Sequence, residues 1–372
     1  MLLVETAALG SGQTISSQGI LHGGLKYTLS GHLTGAAQQV REMPARWMEH
    51  LTGRRSPDLG RVTRRADFCY LWRSAALRSR LAMIGARAGL RSASEGVADD
   101  ERPAALRDCP GTVARVVEPV LEPASLLAEL AAPLRGRLIR ADGAGGVAFH
   151  PGSNGKVWRV TVTSGGEQFD LRSQWLIFAA GAGNGALRRA VGLESGAMQT
   201  RPLHMVMARG DLPVLNGHCV DGMETRVTVT TTRDSTGRCI WQIGGRLAER
   251  GVSMTQAELV HLAKREIEEV IPAAPREGIQ WSSWKVDRAE LRTASGVRPD
   301  GIGILQEAPG ASPITVWPTK MVLAPHLADE VLRRVAPPVS AERAAPTLPF
   351  FEAPGVATPP WDEADRVWTA LP

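Results

Sequence analysis

Runs of apolar residues at strand spacing alternate with segments of helical period along most of the chain. Met1 to Val4 is a short apolar start that ends in Glu5 and opens into a polar, glycine-rich stretch. Between Leu33 and Leu51, the residues Val40, Met43, Trp47 and Leu51 recur on one face and predict an amphipathic helix. Arg61 to Trp72 alternates, with Val62, Ala66, Phe68, Tyr70 and Trp72 on one side, and predicts a strand. Ala75 to Leu90 predicts a helix, and the polar, proline-bearing segment 91–112 predicts a loop. Val113 to Val120 predicts a strand, and Ser125 to Leu134 a helix carrying Leu126, Leu127, Leu130 and Leu134.

A meander follows from Gly136 to Leu176, with strands at Leu138–Ile139, Val157–Val162 and Gln168–Leu171. Trp175 to Ala180 is wholly apolar, as in a buried parallel strand, and leads through Gly181–Gly185 into a helix over Ala186–Val191. Val227–Thr232, Cys239–Ile243 and Gln280–Val286 predict strands, and Thr255–Ile271 a helix. Val316–Trp317 precedes a last helix from Lys320 to Val335, which Pro325 either delays or kinks. The proline-rich tail after Pro337 predicts an extended or disordered segment. Alternating strands and helices predict an α/β core, and the central strands a β-rich layer inserted into it.

Composition adds boundaries. With 372 residues the chain has room for two domains or for one with a large insertion. No apolar run reaches the roughly 20 residues of a membrane span, so a cytoplasmic location is expected. Cys69, Cys109, Cys219 and Cys239 are scattered without metal-type spacing, so buried free thiols are expected and no metal. The net charge of +5 is carried mainly by arginine, clustered between Arg41 and Arg107 among acids. No aromatic-interleaved basic motif accompanies that cluster, so a solvated mixed-charge face is expected and no nucleic-acid partner. The partners that remain are a small-molecule substrate and a second copy of the chain.

Chemistry concentrates in a few segments. Glu5 ends the first strand, where an acid in a dinucleotide fold binds ribose hydroxyls. Gly10 to Gly24 holds five glycines and four hydroxyl residues, which suits close backbone approach and phosphate binding. Gly19, His22, Gly23, Gly24, Leu25 and Tyr27, with Lys26 in place of Arg, align without a gap on a Gly-Leu-Ile-His-Gly-Gly-Leu-Arg-Tyr stretch. In this the chain resembles the D-amino-acid oxidase / glycerol-3-phosphate dehydrogenase superfamily of FAD-dependent oxidoreductases. Leu176 to Gly183 is similar to the strand that returns to that family's FAD domain. Gly296-Val297-Arg298-Pro299-Asp300-Gly301 resembles its Arg-Pro-x-x-Asp-Gly turn shortened by two residues. Trp317-Pro318-Thr319-Lys320 stands where it has a glycine-rich turn before the last helix.

The resemblance implies FAD as cofactor. It implies a Rossmann-like FAD-binding domain from 1–60, 113–196 and 295–336, with a substrate or cap domain from 61–112 and 197–294 and a tail over 337–372. It places Glu5 on the ribose, Gly12, Ser16, Ser17, Gly23 and Gly24 along the pyrophosphate, and Val116 and Val117 near the adenine. Ala180 and Gly181 line the cofactor. His22, Thr319 and Lys320 lie by the flavin ring, with the helix N-terminus and Lys320 stabilising an anionic reduced flavin. Arg298 implies an anchor for an anionic substrate group. Lys320 is one of only five lysines.

The strand with G-x-G-x-x-G that the family places before the ribose-binding acid has no counterpart ahead of Met1. A start assigned too far downstream, a true truncation and a partner chain each account for this, and the first is favoured because Met1 begins mid-strand. The implied chemistry is removal of a hydride from a C–H beside an amine or hydroxyl, with Arg298 and Lys320 as the principal groups and His22 and His204 as candidate bases. The alternative is a catalytically inactive remnant serving as a binding or assembly module. An NAD(P)H-dependent reductase needs a second G-x-G-x-x-G that Gly181–Gly185 does not supply.

Overall fold

The computed structural model describes residues 1–23, 35–74, 94–152, 158–221, 224–335 and 351–370. The first part holds β1 (Leu3–Glu5), α1 (Gly35–Leu51), β2 (Arg64–Ala66), β3 (Cys69–Arg73), β4 (Ser94–Val97), β5 (Val113–Val116), β6 (Val120–Leu121) and α2 (Pro123–Ala131). Then come β7 (Leu138–Arg140), a meander of β8 (Val147–Pro151), β9 (Trp158–Ser164) and β10 (Glu167–Ser173), and β11 (Ile177–Phe178) with α3 (Asn184–Ala190). The last part holds β12 (Met198–Gly210), β13 (Gly217–Asp221), β14 (Glu224–Arg233), β15 (Cys239–Gly244), α4 (Arg246–Arg250) and α5 (Gln256–Val270). It ends with β16 (Gln280–Leu291), β17 (Gly303–Leu305), β18 (Ile314–Trp317), α6 (Ala324–Arg334) and β19 (Thr369–Ala370). The helix expected over Ala75–Leu90 lies outside the described residues.

The largest element is a nine-stranded sheet ordered β19-β16-β12-β15-β14-β13-β3-β5-β4. Its pairs are antiparallel except β13 with β3. α5 packs on one face. Leu259, Val260, Ala263, Ile267 and Val270 of the helix join Val206, Cys219, Val227, Val229, Trp241 and Ile243 of the sheet in one core. A capping box starts this helix: the Thr255 hydroxyl accepts from the Glu258 N–H, and the Glu258 carboxylate accepts from the Thr255 N–H at 2.8 Å.

Smaller pieces carry the parallel pairings of an α/β fold. β1 runs parallel to β7, and β11 parallel to β18. Leu2 and Val4 pack against the same core cluster that contains Phe178 and Ile139, so both pairs share one interior. α1 buries Val40, Met43, Trp47 and Leu51, the stripe its period predicts, against Leu21, Val322 and Leu323. The Trp47 indole N–H donates to Val322 O at 2.9 Å, which ties α1 to the start of the last helix.

Several local expectations change. The strand expected over Arg61–Trp72 breaks into β2 and β3 at a bend over Asp67–Phe68. Tyr70 and Trp72 do share the α5 face, but Ala66 packs on the other side with Cys69 and Leu71. Segment 91–112 is not all loop, because β4 pairs along β5. Trp175–Ala180 is strand only at Ile177–Phe178, and Ile177 is 41% exposed, since β11 sits at the edge of its small sheet. The last helix begins after a 3₁₀ turn at Met321–Leu323, with Pro325 in its first turn, where a missing N–H costs nothing. Residues 351–370 are extended. They pair through a bridge from Val356 to Leu9 and through β19 to β16, and they bury Trp361.

The glycine-rich segment is pinned by its backbone. Gly19 has φ 74°, and a Cβ there would lie 2.0 Å from Leu121 O. Gly136 has φ 76° with open space around the same position. Gly136→Ala should cost only the left-handed conformation, about 1–2 kcal/mol. Gly19→Ala must also displace β6, and should cost at least about 3 kcal/mol in urea unfolding. Equal losses for the two would contradict this packing.

Candidate active site

The face of the large sheet opposite α5 carries a buried polar patch over β13, β14 and β15, beside an apolar cluster with Met205, Met207 and Ile240. Alternation that turns Cys219, Val227, Val229, Trp241 and Ile243 towards α5 turns His218, Thr228, Thr230 and Gln242 the other way, and none of these four exceeds 4% exposure. Buried polar side chains require partners. His218 Nδ1 meets the Thr228 hydroxyl, the Thr230 hydroxyl donates to Gln242 Oε1 at 3.2 Å, and the Gln242 amide donates to Ser17 O at 3.5 Å in the glycine-rich segment, which also bonds the backbone of the strands. The Gln18 amide donates to Gln242 O at 3.0 Å and to Thr228 O at 3.3 Å, and Gln13 Oε1 accepts from the Ala289 N–H at 3.0 Å. Beside it, the buried Arg65 guanidinium donates to Glu122 at 2.7 Å and to Gln242 Oε1 at 3.0 Å, and the Thr232 hydroxyl donates to Glu122 at 3.0 Å.

Three residues from distant parts of the chain meet here. Glu118 Oε2 lies 3.4 Å from His22 Nδ1 and 3.3 Å from His218 Nε2. Glu118 Oε1 accepts from the Gly23 N–H at 2.8 Å, and His218 Nδ1 lies 3.0 Å from the Thr228 hydroxyl. Glu118 and His218 are buried, while the His22 side chain is 39% exposed and forms the open side of the cluster. Burial pushes the Glu118 carboxyl up. Its hydrogen bonds with His218 and His22, and the charge of those rings, outweigh burial and hold it well below the usual carboxylate range.

The turn ahead of α6 is the second pole. Thr319 is the one non-glycine residue with positive φ among the described residues, at 62°, a strained state for a β-branched side chain. Lys320 N–H donates back to Pro318 O at 2.6 Å, closing the turn, and the Trp317 indole N–H donates to Gly181 O at 3.2 Å. That bond joins the Gly181 turn to the Thr319–Lys320 turn. Leu21 and Val322–Leu323 share one core cluster, which joins the same turn to the glycine-rich segment. The buried hydroxyls of Ser17 and Thr319 have no hydrogen-bond partner in the structure.

The family model described as FAD dependent oxidoreductase matches residues 1–324. A probable FAD-dependent oxidoreductase of Pseudomonas aeruginosa is 36% identical over 368 residues, 98% of this chain and 91% of that protein. The chain belongs to this family. The crystal structure of the Pseudomonas aeruginosa FAD-dependent oxidoreductase superposes with a TM-score of 0.77 at 33% identity, covering 97% of this chain and 90% of that one. L-α-glycerophosphate oxidase from Mycoplasma pneumoniae, solved with FAD bound, shares the fold with a TM-score of 0.60 at 14% identity, covering 89% and 87%. Glycine oxidase from Geobacillus kaustophilus does so with 0.55 at 15%, covering 90% and 88%.

This FAD-dependent oxidoreductase therefore carries the α/β fold and cofactor that the glycine-rich segment implied. Its own residues fit the cofactor. Two orphaned buried hydroxyls, Ser17 and Thr319, stand on the two segments that the resemblance assigned to pyrophosphate and flavin ring. Ser16 is buried beside Ser17, and Gly12 and Gly181 both have positive φ with open space where a Cβ would stand. Glu5 accepts from the Thr6 and Ala7 N–H groups at 2.8 and 3.1 Å at the end of β1. Val117 is 71% exposed, and Ala180 is exposed beside Gly181. Gly24 lies outside the described residues.

Arg298 is exposed in the loop between β16 and β17, which Gln199 holds through Val297 O at 3.0 Å. His204, the second candidate base, is 3% exposed and spans Gly251 O and the Ser283 hydroxyl at 3.0 and 2.8 Å, with burial lowering its pKa. It is a structural bridge between β12, β16 and the turn before α5. Sequence reasoning missed Glu118 and His218. The signal for Glu118 was an acid inside the apolar run Val116–Leu121; His218 had none.

A carboxyl held low in the folded state adds stability above its unfolded value of about 4.3 and loses it as pH falls below that. Wild-type protein should thus keep its urea resistance down to about pH 4.5 and lose it as pH falls from there towards about pH 2, and Glu118→Gln should show a smaller loss over that interval. An unchanged pH dependence in the variant would show that Glu118 is not held low.

Proposed function

We propose that this flavoenzyme oxidises a small anionic substrate at a C–H next to an amine or hydroxyl, with His22 as the group that takes the substrate proton. The observation that carries the reading is the contact of His22 with the buried Glu118 carboxylate, at the partly open edge of the polar sheet face. Bound FAD supplies the hydride acceptor. The chain's own residues do the rest. Ser16, Ser17 and Gly12 bind along the cofactor's phosphates, with Glu5 on the ribose and Val117 on the adenine side. Ala180, Gly181, Gly23 and Gly24 allow close approach, and Thr319 and Lys320 present a hydroxyl and a positive charge at the flavin ring.

The contact with Glu118 fixes the orientation of the His22 ring, which suits a positioned base. Arg298, exposed on its loop, serves as a planar fork for a substrate carboxylate or phosphate. Resemblance to relatives that act on glycerophosphate and glycine supports an anionic amine or alcohol as substrate class. The four cysteines are free and buried, which suits a reducing compartment, and we place the enzyme in the cytoplasm.

Two measurements test this reading. FAD titration, followed by flavin fluorescence, should give a dissociation constant about two- to tenfold weaker for Ser17→Ala and for Thr319→Ala, the worth of one hydrogen bond. Unchanged affinity in both variants would remove these hydroxyls from the cofactor site. Anaerobic mixing of the yellow enzyme with small amino and hydroxy acids should bleach the flavin with at least one of them. Arg298→Ala should then weaken that substrate about tenfold or more while keeping the flavin colour. No bleaching by any anionic amine or alcohol would contradict the substrate class.

A further inference from the structure

The cluster of His22, Glu118 and His218 has a second property that proton handling does not use. Its spacing is that of a metal site. The charge-assisted bonds of an imidazolium with a carboxylate fall near about 2.7–2.9 Å. Here both imidazole nitrogens stand 3.3–3.4 Å from the same carboxylate oxygen. Ligands held about 2.0–2.1 Å from a tetrahedral Zn²⁺ are separated by about 3.3–3.4 Å, so the two contacts match two edges of such a tetrahedron. One ring nitrogen of each histidine and a Glu118 oxygen lie within 4.8 Å of one another, and the partly exposed His22 ring is the member with room to close the third edge.

The surroundings of these ligand atoms are also those of a metal site. Each buried ligand is oriented through its other polar atom: His218 Nδ1 by the Thr228 hydroxyl at 3.0 Å, and Glu118 Oε1 by the Gly23 N–H at 2.8 Å. Such outer partners fix ring orientation and aim the remaining lone pair at a cation. Solvent reaches the cluster from the side of His22, which leaves a fourth position for water. Two imidazoles and one carboxylate favour a borderline transition ion over Mg²⁺ or Ca²⁺, which prefer all-oxygen shells.

We propose that His22, Glu118 and His218 form a three-ligand site for one divalent transition cation, with Zn²⁺ as its representative. The site does not depend on the assigned reaction. If His22 is the base, a cation on Nδ1 places the ring's one proton on Nε2, leaves no free lone pair to take the substrate proton, and acts as a reversible inhibitor.

The test is calorimetric titration of Zn²⁺ into the full-length, FAD-carrying protein after chelator treatment, with bound metal counted by elemental analysis. One Zn²⁺ per chain is expected, with a dissociation constant on the order of micromolar or tighter, weakened at least about tenfold by His218→Ala and by Glu118→Gln. His22→Ala removes a partly exposed ring and leaves the interior intact, so it should show the same loss without a folding defect. His261→Ala and His326→Ala, elsewhere on the surface, should leave binding unchanged. Absence of Zn²⁺ uptake by wild type, or uptake that survives both His22→Ala and His218→Ala, would overturn the proposal. Flavin absorbance of the same samples reports cofactor loading separately, so a failure of the metal site is distinguishable from a failure of the oxidoreductase reading.

Discussion

The structure depends on the burial of a polar sheet face beneath a polar backbone segment. One side of β13, β14 and β15 is closed by α5 in the ordinary way, apolar on apolar. The other side presents His218, Thr228, Thr230 and Gln242 to the interior, where unpaired amides and hydroxyls cost about 1–3 kcal/mol each. These side chains pair with one another and with Glu118 and Arg65, and the residues from Gln13 to Gly23 close over them and bond the strand backbone. Gln18 bonds two strands at once, Gly19 lets the backbone press against Leu121, and Leu21 reaches into the core shared by α1 and the last helix. A segment with ordinary side chains could not lie this close. Its glycines, Gly19 above all, thus serve packing.

That arrangement also explains where the chemistry sits. Docking the segment brings His22 over the sheet edge and its neighbour Gly23 onto Glu118, while Glu118 faces His218 across the same gap. A buried carboxylate is costly unless it is paired and hydrogen-bonded. Here it has a backbone N–H and two imidazoles, so it organises the groups that a proton, or a metal ion, would engage. The strained Thr319 turn supplies the opposite pole. Its positive φ and orphaned hydroxyl make sense as accommodation for a ligand, since a turn without that purpose would relax with glycine or asparagine.

Much of this was legible in the chain. The stripe of Val40, Met43, Trp47 and Leu51 gave α1, because helical period is read directly from burial. Gly19 to Gly24, and more loosely Trp317 to Lys320, pointed to FAD through their resemblance to segments of the family. The parts that were not legible are those made by long-range pairing. Glu118 and His218 lie 100 residues apart and meet through the pairing of β13 on β3 and of β3 on β5, while the bridge of Ile20 with Val120 brings in His22. His204 stood beside His22 as a candidate base, though without motif support, because sequence does not show which histidine is enclosed by a carbonyl and a hydroxyl. The break of the Arg61–Trp72 strand was hidden for a related reason. Alternation continues through Asp67–Phe68, and the bend follows from pairing β2 with β6 and β3 with β5.

The central claim is that the glycine-rich segment, the His22–Glu118–His218 cluster and the Thr319 turn surround one flavin. A crystal structure of the chain grown with FAD tests this most directly. The account requires the isoalloxazine ring between His22 and Thr319, with the pyrophosphate against Ser16 and Ser17. A flavin seated away from the polar face of the large sheet, with His22 and Thr319 both out of contact, would contradict it.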